Sequence, residues 1–201
     1  MTVRVWNQTI DPKAFFAGTL TCVARTADDP ARLVAVAAAH VLAPLTEAGV
    51  AWPQEGDEVV FELSNRTRLN GRLWFWSELQ REIDGFENQI DAALVDIDES
   101  DAVTLLKELS QPAARSEPRP GAPVRFTGVA SGPSVGSFHG LHSNEPVAYG
   151  VLGGTVASVV FMDSLKASLR AAPGDSGALM VSGLDGVGVL VAAEGETCRF
   201  L

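Results

Sequence analysis

Short strand-like segments separated by turn residues recur along almost the whole chain, and this spacing constrains the fold most. Residues 18–25 (GTLTCVAR) and 32–37 (RLVAVA) read as an early hairpin, with Asp28, Asp29 and Pro30 as the turn signal. Residues 58–63 and 71–76 alternate, and 91–97 (DAALVDI) is a compact apolar run that begins with an acid. Strand signals resume at 123–128, 147–152, 155–161, 177–181 and 187–193. One stretch has helical spacing, 101–109 (DAVTLLKEL), with Ser100 or Asp101 available as its cap. The pattern predicts an all-β barrel or sandwich.

After the helical stretch comes SQPAARSEPRPGAP, rich in Pro, Ala and charge, which reads as a linker between two β-rich halves. The expected division is a lobe over 1–110, a linker over 111–122 and a second lobe over 123–201. With 201 residues, 46% of them apolar, the chain can bury one large core or two smaller ones. Residues 131–146 (SGPSVGSFHGLHSNEP) have no periodicity and read as a long loop.

Composition narrows the function. Fifteen Lys and Arg stand against 25 Asp and Glu, a formal net charge of −10. That sign disfavours nucleic-acid and anionic-membrane partners. The longest apolar stretches, at 33–45 and 151–162, are too short to span a bilayer, and the N-terminal residues have no apolar signal core. A cytoplasmic location is therefore expected, with Cys22 and Cys198 as reduced thiols. No Cys/His cluster suggests a metal, and His139 and His142 read as solvated surface. No cofactor is expected. Residues 150–154 (GVLGG) read as a β-turn, and Trp74 and Trp76 as a barrel wall or core.

The sharpest chemical feature is Gly174-Asp175-Ser176-Gly177. A serine hydroxyl needs a base to take its proton and donors aimed at the oxyanion that forms. A glycine two residues before the serine lets the backbone turn its N–H groups toward one spot. His40, in AAAHVL directly after a predicted strand, is the candidate base. Asp91, in NQIDAALV, is an acid at the head of an apolar strand, where burial is costly unless it is paired. Asp84, Asp96 and Asp98 are its nearby rivals.

Together the AAH turn, the ID-A-L-V strand and GDSG, in the order His, Asp, Ser, resemble the chymotrypsin-like (trypsin-like) serine peptidases. The resemblance runs from about Gly18 to Ala193 and looks most like the intracellular bacterial branches. It implies two six-stranded antiparallel β-barrels with the active site between them. It implies a serine endopeptidase in which Ser176 attacks, His40 is the general base and Asp91 orients the imidazole. The oxyanion hole would be the Gly174 and Ser176 N–H groups. Partners would be a protein or peptide substrate, with room for an activating or regulatory protein. The alternative is the same fold as an inactive peptide-binding or regulatory module, or a protease domain of a larger regulated protein.

Some family features are absent. There is no IVGG-type N-terminus whose freed amine could pair with Asp175, so another device must order the oxyanion hole. The serine that often supports the buried acid has no counterpart in Leu190-Val191-Ala192-Ala193. The resemblance places Arg170 at the base of the specificity pocket, where a cation would favour an acidic substrate side chain. The preferred reading is that Arg170 faces solvent, leaving a small apolar pocket with Ala171, Ala172 and Ala193. The CysArgPheLeu end could start a last strand and close the second barrel.

Overall fold

A computed structural model describes residues 1–81, 88–109, 111–115 and 117–201, the side chains of 143–145 excepted. Asp84, the rival acid, lies outside the described residues. Two antiparallel β-structures pack side by side. The first contains β1 (Arg4–Asn7), β2 (Gly18–Thr19), β3 (Cys22–Arg25), β4 (Leu33–Ala37), β5 (Glu58–Glu62), β6 (Arg68–Trp76) and β7 (Ala93–Asp96). Its strand order is β2-β1-β5-β6-β7-β4-β3. The outermost members are two pieces of one bent strand. Leu20 N–H bonds back to Val3, on the β1 side, while Thr21 N–H bonds to Val36 of β4. That bend brings the ends of the sheet together, giving six strands around a core that includes Val5, Phe61, Leu73 and Val95.

The second structure is a closed barrel of β8 (Pro123–Gly128), β9 (Gly132–Gly150), β10 (Val156–Ser168), β11 (Leu179–Ser182), β12 (Asp185–Glu194) and β13 (Thr197–Phe200). In β8 strict alternation turns Val124 and Phe126 inward, where Phe126 meets the Phe200 ring. The C-terminal CysArgPheLeu residues do supply the closing strand. β13 pairs with both β10 and β12 and buries Cys198 and Phe200.

Two expectations are corrected, and one element is added. Residues 131–146 are not a loop, since all but Ser131 belong to the 19-residue strand β9. This strand pairs with β8 through its first residues and with β10 through the rest. Its alternation is broken where the register with β10 shifts at Lys166/Ala167, leaving His139 as the extra residue. The helix α2 starts earlier than expected, at Glu99–Glu108, because the Asp98 carboxylate accepts the Asp101 N–H and is the cap. Strand β1 was not anticipated at all.

Two contacts fasten the β9–β10 hairpin to the N-terminal lobe. Leu152 N–H donates to Leu45 and Glu47 N–H to Leu152, a parallel bridge at the hairpin turn. Asn88 bridges Phe161 on the other arm, giving and receiving backbone bonds with Val160 and Met162. Between these points a shared apolar cluster forms, with Leu45 and Leu79 from one lobe and Val147, Tyr149, Phe161 and Val191 from the other. No helix among the described residues is long and apolar enough to cross a membrane.

Candidate active site

His40 lies in α1 (Ala39–Leu42), a single turn directly after β4. Ala37, Ala38 and Ala39 are buried, and their small size lets this turn sit tightly on the core. The His40 backbone N–H donates to Asp91 Oδ1 at 3.0 Å, and His40 Nδ1 lies 2.6 Å from Asp91 Oδ2. The Asp91 side chain is fully buried. Tyr149 of β9 supplies a third donor, its hydroxyl 2.9 Å from Asp91 Oδ2. Burial pushes the Asp91 carboxyl up, but the His40 charge and the bonds from His40 and Tyr149 outweigh it and hold the carboxyl below its usual range. An ionised carboxylate only accepts, so the neutral imidazole carries its proton on Nδ1 and leaves Nε2 basic.

Ser176 enters from the other lobe, on the loop between β10 and β11. Gly174 and Gly177 flank it with φ of +106° and +92°, a backbone that side chains rarely adopt. At Gly177 a Cβ would also run into the Thr19 carbonyl. The N-terminal lobe grips this loop directly. Thr19 N–H donates to the Ser176 carbonyl at 2.7 Å, Thr19 Oγ1 to Gly174 at 3.0 Å, and Thr21 Oγ1 to Gly177 at 2.7 Å. These three bonds fix the serine's backbone from the lobe that carries His40.

Asp175 is wholly buried beneath the loop. Its Oδ1 accepts the Ala130 and Ser131 N–H groups at 2.9 and 3.1 Å, and its Oδ2 accepts Ala172 N–H at 2.8 Å. Backbone amides thus satisfy both carboxylate oxygens of Asp175. Gly128 makes the arrangement feasible, because a Cβ there would sit inside the Asp175 carboxylate.

His40, Gly174 and Ser176 line one cleft of about 780 Å³ between the lobes, together with Ala171 and Ala193. Arg170 is not part of this lining. Its guanidinium is 85% exposed and pairs with Glu196 at 2.9 Å on the outer surface. The arginine in the cleft wall is Arg199 of β13, which sequence reasoning did not single out. Arg170→Ala is therefore expected to leave a peptide-library cleavage profile unchanged. An acidic preference that vanished in this variant would contradict that placement.

The other sequence features settle elsewhere. His139 hydrogen-bonds Ser168, Arg32 covers Trp74 at 3.9 Å, and Trp76 packs against the first core. Both cysteines are free thiols. Burial raises Cys22, while burial and then the Asp175 charge raise Cys198 to about 11. Sequence reasoning also missed Tyr149 and Thr19. The one available signal for Tyr149 was its being the only tyrosine in the chain.

The sequence matches no protein-family model and no curated relative. The structure does match solved ones. Thermobifida fusca protease A is 16% identical, with 92% of this chain and 83% of that one covered and a TM-score of 0.55. Nocardiopsis protease is 20% identical, with 92% and 85% covered and a TM-score of 0.53. The inactive form of a mutant of Rv3671c from M. tuberculosis H37Rv is 16% identical, with 100% and 80% covered and a TM-score of 0.56. The chain has the double-barrel fold of the chymotrypsin-like serine proteases.

Proposed function

We propose that this chain is a serine endopeptidase acting on protein or peptide substrates. The observation that carries the reading is the 2.6 Å contact between His40 Nδ1 and buried Asp91, with His40 lining the same cleft as Ser176. Ser176 Oγ attacks the scissile carbonyl carbon as His40 Nε2 takes its proton. Asp91 holds the imidazole in the tautomer that leaves Nε2 basic and stabilises the imidazolium. The carbonyl oxygen becomes an oxyanion facing the Gly174 and Ser176 N–H groups. On collapse the amine leaves with the proton from His40, and Ser176 holds the acyl group as an ester. Water then attacks that ester, its proton passing to His40, and release of the acid restores Ser176.

Anchoring of Asp175 by Ala130, Ser131 and Ala172 supports an oxyanion loop ordered by the chain itself. The methyl side chains of Ala171 and Ala193 in the cleft lining support apolar substrate side chains. Hydrolysis of a mixed peptide library by the purified chain, read by mass spectrometry beside Ser176→Ala, tests the proposal. Cleavage lost in the variant is expected. Cleavage that persists in it, or none by the wild type, overturns the proposal.

A further inference from the structure

We propose that Tyr149 is a positioning residue for the His40–Asp91 pair, supplied from the opposite lobe in place of the hydroxyl that β12 lacks. The inference rests on the proposed peptidase chemistry for its catalytic consequence and on geometry for its substance.

Asp91 needs more than its histidine. A buried carboxylate with unfilled lone pairs loses hydration it cannot replace. His40 provides two donors, and the β12 residues that line this cleft, Leu190, Val191, Ala192, Ala193 and Glu194, include no side-chain hydroxyl. The remaining donor is the Tyr149 hydroxyl, 2.9 Å from the same Oδ2 that bonds His40 Nδ1. Its ring also lies flat on the imidazole, with centroids 4.5 Å apart and planes 18° from parallel. One side chain therefore fixes the carboxylate by a hydrogen bond and one face of the imidazole by stacking.

Tyr149 is held firmly enough to do this. It is 5% exposed, meets Phe161 edge-on at 6.2 Å, and sits between the two points where the β9–β10 hairpin docks on the N-terminal lobe. Burial, then the charge of Asp91 and the bond to it, keep the phenol protonated well above its ordinary range, with Arg199 opposing. It therefore remains a donor throughout the working pH range. Among the described residues, the titratable or charged groups lining the cleft besides Tyr149 and His40 are Glu194 of β12 and Arg199 of β13, and neither is altered in the test below.

The sign of the effect follows from the shared oxygen. Removing the phenol donor leaves more negative charge on Asp91, so the pair retains the imidazolium proton to higher pH. Strengthening the donor does the reverse. Tyr149→Phe keeps the ring and deletes the hydroxyl. Because the chain has one tyrosine, biosynthetic replacement of tyrosine by 3-fluorotyrosine changes this position alone, making its phenol a stronger donor.

The experiment records the pH dependence of kcat/KM for all three proteins, and follows the titration of the His40 ring carbon-bound protons by NMR. The acid limb and the NMR midpoint are expected to move up in Tyr149→Phe and down in the fluorotyrosine protein. Loss of a hydrogen bond to a charged group also predicts about a tenfold lower kcat in Tyr149→Phe, with KM little changed. The NMR titration needs no turnover, so opposite shifts support the positioning role even if the wild type cleaves nothing. Identical NMR midpoints overturn it even if the wild type is an active peptidase. If the Phe variant does not fold, the near-isosteric fluorotyrosine protein still decides by its shift relative to the wild type.

Discussion

Ser176→Ala and His40→Ala are each expected to lower kcat by about a million-fold, and the double variant to lose little more. In the proposed mechanism the two groups act as one device. Without the base the hydroxyl keeps its proton, and without the hydroxyl the base has nothing to activate. Asp91→Asn is expected to cost about ten-thousand-fold while keeping the fold. An amide in that place would offer its N–H₂ where His40 Nδ1 and Tyr149 now donate. The imidazole would answer by presenting the wrong tautomer, its proton on the nitrogen that should accept from Ser176. Steady-state kinetics on a fluorogenic peptide chosen from the library, with circular dichroism to check folding, measure all four variants. Additive losses in the double variant would contradict the shared role.

Gly128→Ala is the second large effect, and it acts without touching substrate. A Cβ at that position would overlap the Asp175 carboxylate, so Asp175 must move off the Ala130, Ser131 and Ala172 amides. Gly174 and Ser176 stand on either side of Asp175, so their N–H groups would turn with it. Losing an oxyanion donor costs about 10²- to 10³-fold in kcat. The expected result is therefore a kcat lower by about that factor, with KM less affected and the far-ultraviolet spectrum retained. An unchanged kcat would show that the Asp175 anchor does not order the oxyanion site.

How much of this was legible in the sequence depends on the kind of force involved. Local patterns carried β3, β4, β5 and β8, because each shows its apolar residues within a few positions. His40, Asp91 and Ser176 could be selected because their chemistry is rare and their flanking residues are specific. The structure gathers His40 and Ser176 in one cleft and sets Asp91 behind His40. By contrast, β9 is defined by backbone pairing to two neighbours, with a bulge at His139 erasing the alternation that would betray it. Tyr149 rides on that strand, 58 residues from Asp91, and only the docked hairpin brings them together. The same holds for Thr19, whose hydroxyl meets Gly174 across 155 positions. Arg170 and Arg199 show the limit of counting from a motif. The arginine six residues before Ser176 turns outward to Glu196, while one near the C-terminus lines the cleft.

The most direct measurement is labelling of the purified chain with a fluorophosphonate probe, which reacts only with a serine that a base has activated. The wild type, Ser176→Ala and His40→Ala are compared by intact mass. The account predicts one adduct on the wild type, located at Ser176, and none on either variant. An unlabelled wild type, or an adduct that survives either substitution, would contradict it.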